Sequence, residues 1–247
     1  MLDRHIHAYV RALFGSSAVR VGPFLAGLDP HDAGRYRNYA VPDDGAAPSA
    51  DEVAALVTAF AGRDRIPRLE YLPSACPDLE AALAGAGFTV EARIPVLTGR
   101  PGRVGVLPVA GVEVAPAATD DELWAVAGAQ AEAYAQPEVT VHDRDRLRGV
   151  LDRGGLVALA RDAATGAGVG GGLCAPPHDG VSELAAIGVR TAYRRRGIAA
   201  ALTAELTRAC PEVGIGTPFL TPAGPAEQRI YERAGYRVAE EMIHISR

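Results

Sequence analysis

The sequence predicts a mixed α/β protein built from two related halves, and three observations predict it. The second half alternates its elements in the order strand, two helices, three strands, helix, strand, helix, strand, an antiparallel start with a parallel αβ finish. The first hundred residues repeat the end of that pattern: Gly87-Phe88 recurs 148 positions later as Gly235-Tyr236, with Val41 falling on Val189 and Leu72 on Leu220. Composition is that of a globular chain, 48% hydrophobic and 22% charged over 247 residues, with no apolar run approaching the ~18 residues of a membrane span.

Residues 99–111, GRPGRVGVLPVAG, are dense in Gly and Pro and read as a linker or crossing strand, so the expected domains are 1–105 and 106–247. Val112 to Ala115 is a short strand. Thr119 with Glu122 forms a capping box that opens a helix through about Tyr134, and a second helix follows Asp143. Leu156 to Arg161 and Val169 to Cys174 flank the turn AATGAG as a hairpin, and PPHDG turns the chain into a third strand, Ser182 to Val189. Gly197 to Ala209 has helical spacing, Pro218 to Thr221 is a short strand, Ala226 to Ala234 a helix and Tyr236 to Ile245 the closing strand. The first half places EYLP, Glu70 to Pro73, opposite PFLT, Pro218 to Thr221.

Several function classes are excluded early. All 25 residues of the Lys+Arg count are Arg, which removes a Walker-type phosphate loop, a pyridoxal Schiff base and any lysine nucleophile. A net charge of -5 argues against a broad grip on nucleic acid or an anionic membrane. Cys76, Cys174 and Cys210 are odd in number and far apart, so no disulfide framework or cysteine zinc site is expected, and a cytoplasmic location fits. Asp3, Arg4, His5, His7 and Arg11 interrupt the apolar positions that a signal peptide would need. His5 and His7 are spaced wrongly for a helical metal pair, and no metal is expected. Gly166-x-Gly168-x-x-Gly171 has the letters of a dinucleotide fingerprint but runs into strand where the fingerprint requires helix.

The sharpest local signal is Arg194-Arg195-Arg196-Gly197-Ile198-Ala199, set between a strand and an apolar helix. Free N–H groups at the positive end of a helix dipole, a glycine allowing close approach and nearby arginines make an anion site suited to a pyrophosphate. Here the sequence resembles the GNAT superfamily of acetyl-coenzyme A dependent acyltransferases. Arg194, Gly197 and Ala199 fill the family's phosphate motif, and Arg229-Ile230-Tyr231-Glu232-Arg233-Ala234-Gly235-Tyr236 looks like its later helix ending in Gly-aromatic. The asparagine often found seven residues before that tyrosine is Gly224 here.

The resemblance implies a GNAT-like acyl-transferase fold in two tandem units, with acetyl-coenzyme A as co-substrate bound by Arg194 to Ala199. It puts the main chain of Ile187, Gly188 and Val189 beside the pantetheine arm, where an N–H would polarise the thioester carbonyl. It makes Tyr231 the candidate general acid toward the departing thiolate. Glu183 is the candidate general base for the attacking amine: strand alternation puts it on one face with Ala185, Ile187 and Val189, a carboxylate heading an apolar row. Trp124, Tyr134 and His142 border the acceptor pocket in such a fold.

In the first half the corresponding positions are Ala46, Ser49 and Asp51, with Leu83 for Tyr231 and Arg35 for Glu183, so that copy reads as degenerate. The expected activity is acetyl transfer to the amine of a small-molecule or peptide acceptor by direct attack in a ternary complex, with no nucleic-acid or membrane partner. Transfer of another acyl group, an O-acceptor, a non-catalytic coenzyme A sensor and a scaffold of duplicated domains are the alternatives.

Overall fold

The computed structural model describes residues 2–15, 18–29, 34–35, 37–136 and 138–247. Helix α1 (Leu2–Ala12) leads into strands β1 (Ala18–Val21), β2 (Phe24–Leu28) and β3 (Asn38–Pro42), then α2 (Ala50–Ala61), β4 (Arg68–Tyr71), α3 (Leu79–Gly85) and β5 (Thr89–Thr98). Then follow β6 (Val112–Pro116), α4 (Asp120–Ala133), α5 (Val141–Asp152), β7 (Leu156–Asp162), β8 (Gly168–Cys174) and β9 (Val181–Val189). The chain ends with α6 (Ile198–Ala209), β10 (Thr217–Leu220), α7 (Pro225–Arg233) and β11 (Arg237–Ser246). This is the mixed α/β order expected from the sequence.

The repeat is plain in these bounds. Adding 148 to those of α2 gives those of α6, and the same shift carries β5 onto β11. The turns share their backbone conformation and hydrogen bonding. Gly87 and Gly235 take φ of 84° and 94°, the left-handed region that glycine enters without a Cβ penalty, each just after a helix end. The next amide bonds back in both, Phe88 N–H to Leu83 O at 3.1 Å and Tyr236 N–H to Tyr231 O at 3.1 Å.

By compactness the chain divides into Met1–Val96 with Ala239–Arg247, and Leu97–Val238. That differs from the division into related halves because the last strands are exchanged. In the first unit β4 pairs antiparallel with β11, His244 opposite Glu70 and Ser246 opposite Arg68. In the second, the antiparallel partner of β10 is the end of β5, Thr98 opposite Phe219.

The first unit orders its strands β1-β2-β3-β4-β11-β5, with β3 and β4 parallel. Leu56 and Phe60 of α2, Leu69 and Tyr71 of β4, and Ile243 and Ile245 of β11 are buried. Arg68 is fully buried; its Nε donates to Glu91 Oε2 at 3.0 Å and its Nη1 pairs with Glu70, which gives the charge the partners that burial requires. His7, also buried, accepts the Leu72 N–H at 2.7 Å on Nε2 and meets Asp44 at Nδ1, so it is a satisfied core histidine.

In the second unit the order is β5-β10-β9-β8-β7-β6, antiparallel apart from the parallel pair β9–β10. The Thr119–Glu122 capping box opens α4, and the Asp143 carboxylate accepts the Thr140 N–H at 2.8 Å at the start of α5. The glycines of β8 have a packing cause. A Cβ on Gly171 would lie 2.7 Å from Val126 Cγ1 of α4, and one on Gly170 3.3 Å from Ile198 and Leu202 of α6. Helices therefore close on both faces of this strand, and the fingerprint letters belong to the turn at Gly166 and to this strand, not to a nucleotide loop. Gly171→Ala should lower the stability of the protein by about 1–3 kcal/mol through overpacking against Val126, read from denaturant midpoints of the two proteins.

Candidate active site

The parallel ladder between β9 and β10 runs from Val181–Thr217 to Glu183–Phe219. Beyond it β10 ends at Leu220, while β9 continues to Val189 along β8. Register with β8 shifts there: Leu173 faces Ala185 and Gly171 faces Gly188, so β9 carries one extra residue. Ala186 takes φ of 53°, a conformation costly for a residue with a Cβ, and is the bulged residue.

Two side chains of α4 meet this bulge. Gln130 Nε2 donates to Ala186 O at 2.8 Å, and Tyr134 Oη donates to Ile187 O at 3.1 Å. Gln130 is 4% exposed, and Arg146 of α5 donates to its Oε1 at 3.4 Å. Helix and strand approach closely: a Cβ on Gly188 would meet Ala133 Cβ at 2.9 Å and Gln130 Cα at 3.2 Å. Sequence reasoning missed Gln130 altogether; a polar residue on the apolar face of α4, four before Tyr134, was the signal available.

The bulge also corrects one expectation. Alternation was to put Glu183, Ala185, Ile187 and Val189 on one face. Instead Ile187 and Val189 pack with Leu184 in the cluster under α6, while Ala185 and Ala186 pack with the cluster under α4 and α5. The extra residue reverses the alternation, so Glu183 does not head the row of Ile187 and Val189. Glu183 is half-buried, and Thr221 Oγ1 donates to its Oε1 at 3.3 Å.

Past Val189 the chain turns through Arg194–Gly197 into α6. Arg195 has φ of 63° and Gly197, the residue before the helix, φ of 89°. Gly197 has no side chain with which to cap the helix, and no side-chain cap bond is made among the described residues. Ala201 N–H bonds back to Gly197 O at 3.0 Å, so the N–H groups of Ile198 to Ala200 are the ones a helix start leaves without an intrahelical partner. The first half is different at this point: Ser49 Oγ accepts the Glu52 N–H at 3.3 Å, and Glu52 accepts the Ser49 N–H at 2.8 Å, closing the start of α2.

The three arginines divide into two kinds. Arg194 donates to Val189 O at 3.2 Å and to Ala133 O at 3.0 Å, tying the loop to β9 and α4. Arg196 donates to Ala110 O at 3.0 Å, its guanidinium 5.1 Å from the Tyr193 ring centre. Arg195 is exposed and has no hydrogen bond or ion pair among the described residues. Glu132 reinforces the loop, accepting from Arg190 at 2.6 Å and from the Thr191 N–H at 2.9 Å.

Tyr231 packs against the cluster under α6, and its hydroxyl has no hydrogen-bond partner among the described residues. Burial pushes its pKa well above the usual value near 10, with the Glu227 carboxylate and Tyr134 adding to the effect, so it is a neutral donor throughout the working pH range. Tyr236, five residues on, is fully buried and bonded to Thr207 Oγ1 at 2.7 Å, a core residue. Of the pocket-bordering residues, Tyr134 alone is bonded to β9; Trp124 and His142 lie exposed on their helices.

Residues 121–236 match the model of the acetyltransferase (GNAT) family. The second unit is a GNAT domain. A GCN5-related N-acetyltransferase from Kribbella flavida is 26% identical over 99% of this chain and 95% of its own, with a TM-score of 0.81. One from Sphaerobacter thermophilus shares the fold at 17% identity, covering 91% of this chain and 76% of its own, with a TM-score of 0.67. A tandem GNAT protein from the clavulanic acid biosynthesis pathway does so at 14% identity, covering 96% and 86%, with a TM-score of 0.66. No curated protein matches the chain. Among the described residues no helix is long and apolar enough to cross a membrane, and no three metal-ligating side chains gather.

The two kinds of arginine in this GNAT loop have a measurable consequence. Arg194→Ala should lower the melting midpoint, because it cuts the tie from loop to β9 and α4, whereas Arg195→Ala should leave it unchanged; thermal melts of the two variants check this.

Proposed function

We propose that the GNAT domain moves an acetyl group from acetyl-coenzyme A to the amine of a small-molecule or peptide acceptor, by direct attack in a ternary complex. The observation that carries this reading is the start of α6. It is opened by a left-handed glycine and left without a side-chain cap, whereas the corresponding helix start in the first half is closed by Ser49 and Glu52. A diphosphate needs convergent N–H donors at a positive helix end and room for close approach, and the loop from Arg194 to Ala199 has both. Arg195 is the guanidinium with no other engagement and supplies the charge. Arg194 and Arg196 hold the loop's shape.

Coenzyme A bound as the thioester supplies an activated acyl carbon. The remaining work falls to the chain's own groups. Main-chain groups of Ile187, Gly188 and Val189, on the stretch of β9 that has left β10, serve the pantetheine arm and the carbonyl oxygen where negative charge develops. Glu183 takes the proton of the attacking amine, its carboxylate oriented by Thr221. Tyr231 donates to the departing sulfur. Its raised pKa keeps it protonated, so it stabilises the thiolate by a hydrogen bond and solvent completes the protonation. The first half, with its helix start closed and Leu83 in place of tyrosine, has a packing role.

Calorimetry should give one acetyl-coenzyme A per chain, and a thiol-release assay over an amine panel should show turnover. Binding without thiol release from any amine would make the protein a sensor and overturn transfer; two equivalent sites would overturn the inactive first half. Glu183→Gln and Tyr231→Phe should each reduce kcat by about 10² with cofactor affinity and melting midpoint nearly unchanged. A near-parental kcat in either variant removes that residue from the chemistry.

A further inference from the structure

We propose that Gln130 and Tyr134 of α4 are positioning residues that hold the β9 bulge in its catalytic shape, with Arg146 of α5 fixing Gln130 from behind. The inference rests on the acyl-transfer reading above. A bulge with a non-glycine residue at φ of 53° is a strained segment that persists only where its surroundings over-determine it. On one side β8 supplies the pairs Leu173–Ala185 and Gly171–Gly188, and between them the ladder is out of register. On the other side β10 has ended. The carbonyls of Ala186 and Ile187 thus take their partners from helix side chains, Gln130 Nε2 at 2.8 Å and Tyr134 Oη at 3.1 Å.

Turning two successive carbonyls toward α4 fixes both peptide planes, and with them the directions of the N–H groups of Ile187 and Gly188. These planes set the course of the stretch Ile187 to Val189, from whose main chain the acyl-transfer reading draws its groups for the pantetheine arm and the carbonyl oxygen. A buried amide such as Gln130 is fixed only if both its ends are bonded, and the Arg146 guanidinium bonds the Oε1 end, so the amide cannot turn its oxygen toward Ala186 O. The close approach of Gly188 to Ala133 and Gln130 leaves the helix no room to slide and take the donors away.

At nearly constant volume, Gln130→Leu removes the donor to Ala186 O together with the Oε1 that Arg146 reaches, and Tyr134→Phe removes only the donor to Ile187 O. Each should lower kcat about tenfold with KM for acetyl-coenzyme A within about twofold, since the donor direction changes and the cofactor grip does not. Hydrogen exchange of the peptide spanning β9 should become about tenfold faster, with β7 and α6 unaffected. Unchanged kcat in both variants overturns the proposal, as does a kcat loss with unchanged exchange in β9. Acceleration throughout the second unit would mean a packing role alone. Should Gln130→Leu fail to fold, Tyr134→Phe decides, because that ring is half-exposed and its hydroxyl is the only group removed. If the parent protein releases no thiol with any amine, the transfer reading falls. The exchange experiment then still reports whether the two side chains hold the bulge.

Discussion

Two helices close on opposite faces of β8, leaving no room for a Cβ at Gly171 and only tight room at Gly170 and Gly172. Val126 of α4 occupies the space of a Cβ on Gly171, Ile198 and Leu202 of α6 crowd Gly170, and Ile187 lies 3.0 Å from where Gly172 would carry one. This close approach has consequences for everything nearby. It brings α4 near enough to β9 for a glutamine and a tyrosine to reach backbone carbonyls there. It also seats α6 directly over the strand, so that its first turn opens beside the end of β9. A larger residue in β8 would lift one helix or the other, and the bulge and the loop would lose their geometry together.

The two related halves show how one architecture is spent in two ways. Both contain a helix of the same length at the same offset, entered from a strand that is parallel to the next one. In α2 the Glu52 N–H of the first turn and the Ser49 N–H are bonded within a capping box, a local arrangement that contributes about 1 kcal/mol and needs nothing from outside the chain. In α6 the cap is glycine, which contributes conformational freedom and no oxygen, and the donors stay available. A helix start that stabilises itself and one that binds an anion are competing uses of the same groups.

Polar side chains in the second unit follow the same logic of commitment. Arg194, Arg196, Glu132, Gln130 and Tyr134 all bond to main-chain groups, and they build the loop and the bulge. Among the described residues Arg195 and Tyr231 make no such bonds, one exposed and cationic, the other a neutral phenol whose ionisation burial suppresses further. The division into scaffold and working groups is therefore a matter of which hydrogen bonds are already made. Residue type alone does not decide it, since three adjacent arginines fall into both classes.

Local chemistry was legible in the sequence: the Thr119–Glu122 cap, the Gly-aromatic turns and the hairpin at AATGAG, each governed by residues a few positions apart, and the repeat was legible from their recurrence 148 positions on. The loop from Arg194 to Ala199 was legible for the same reason, because a glycine before an apolar helix states its own geometry. Three matters were decided by tertiary structure. The exchange of β5 and β11 depends on which of two similar strands meets β4, a choice between long-range pairings that no local pattern encodes. The bulge at Ala186 depends on donors from α4, 56 residues away in the Gln130–Ala186 bond, and it reversed a face that strict alternation had assigned. The separate duties of Arg194, Arg195 and Arg196 depend on where carbonyls of Ala110, Ala133 and Val189 happen to lie, which is settled only when helix and strand have packed.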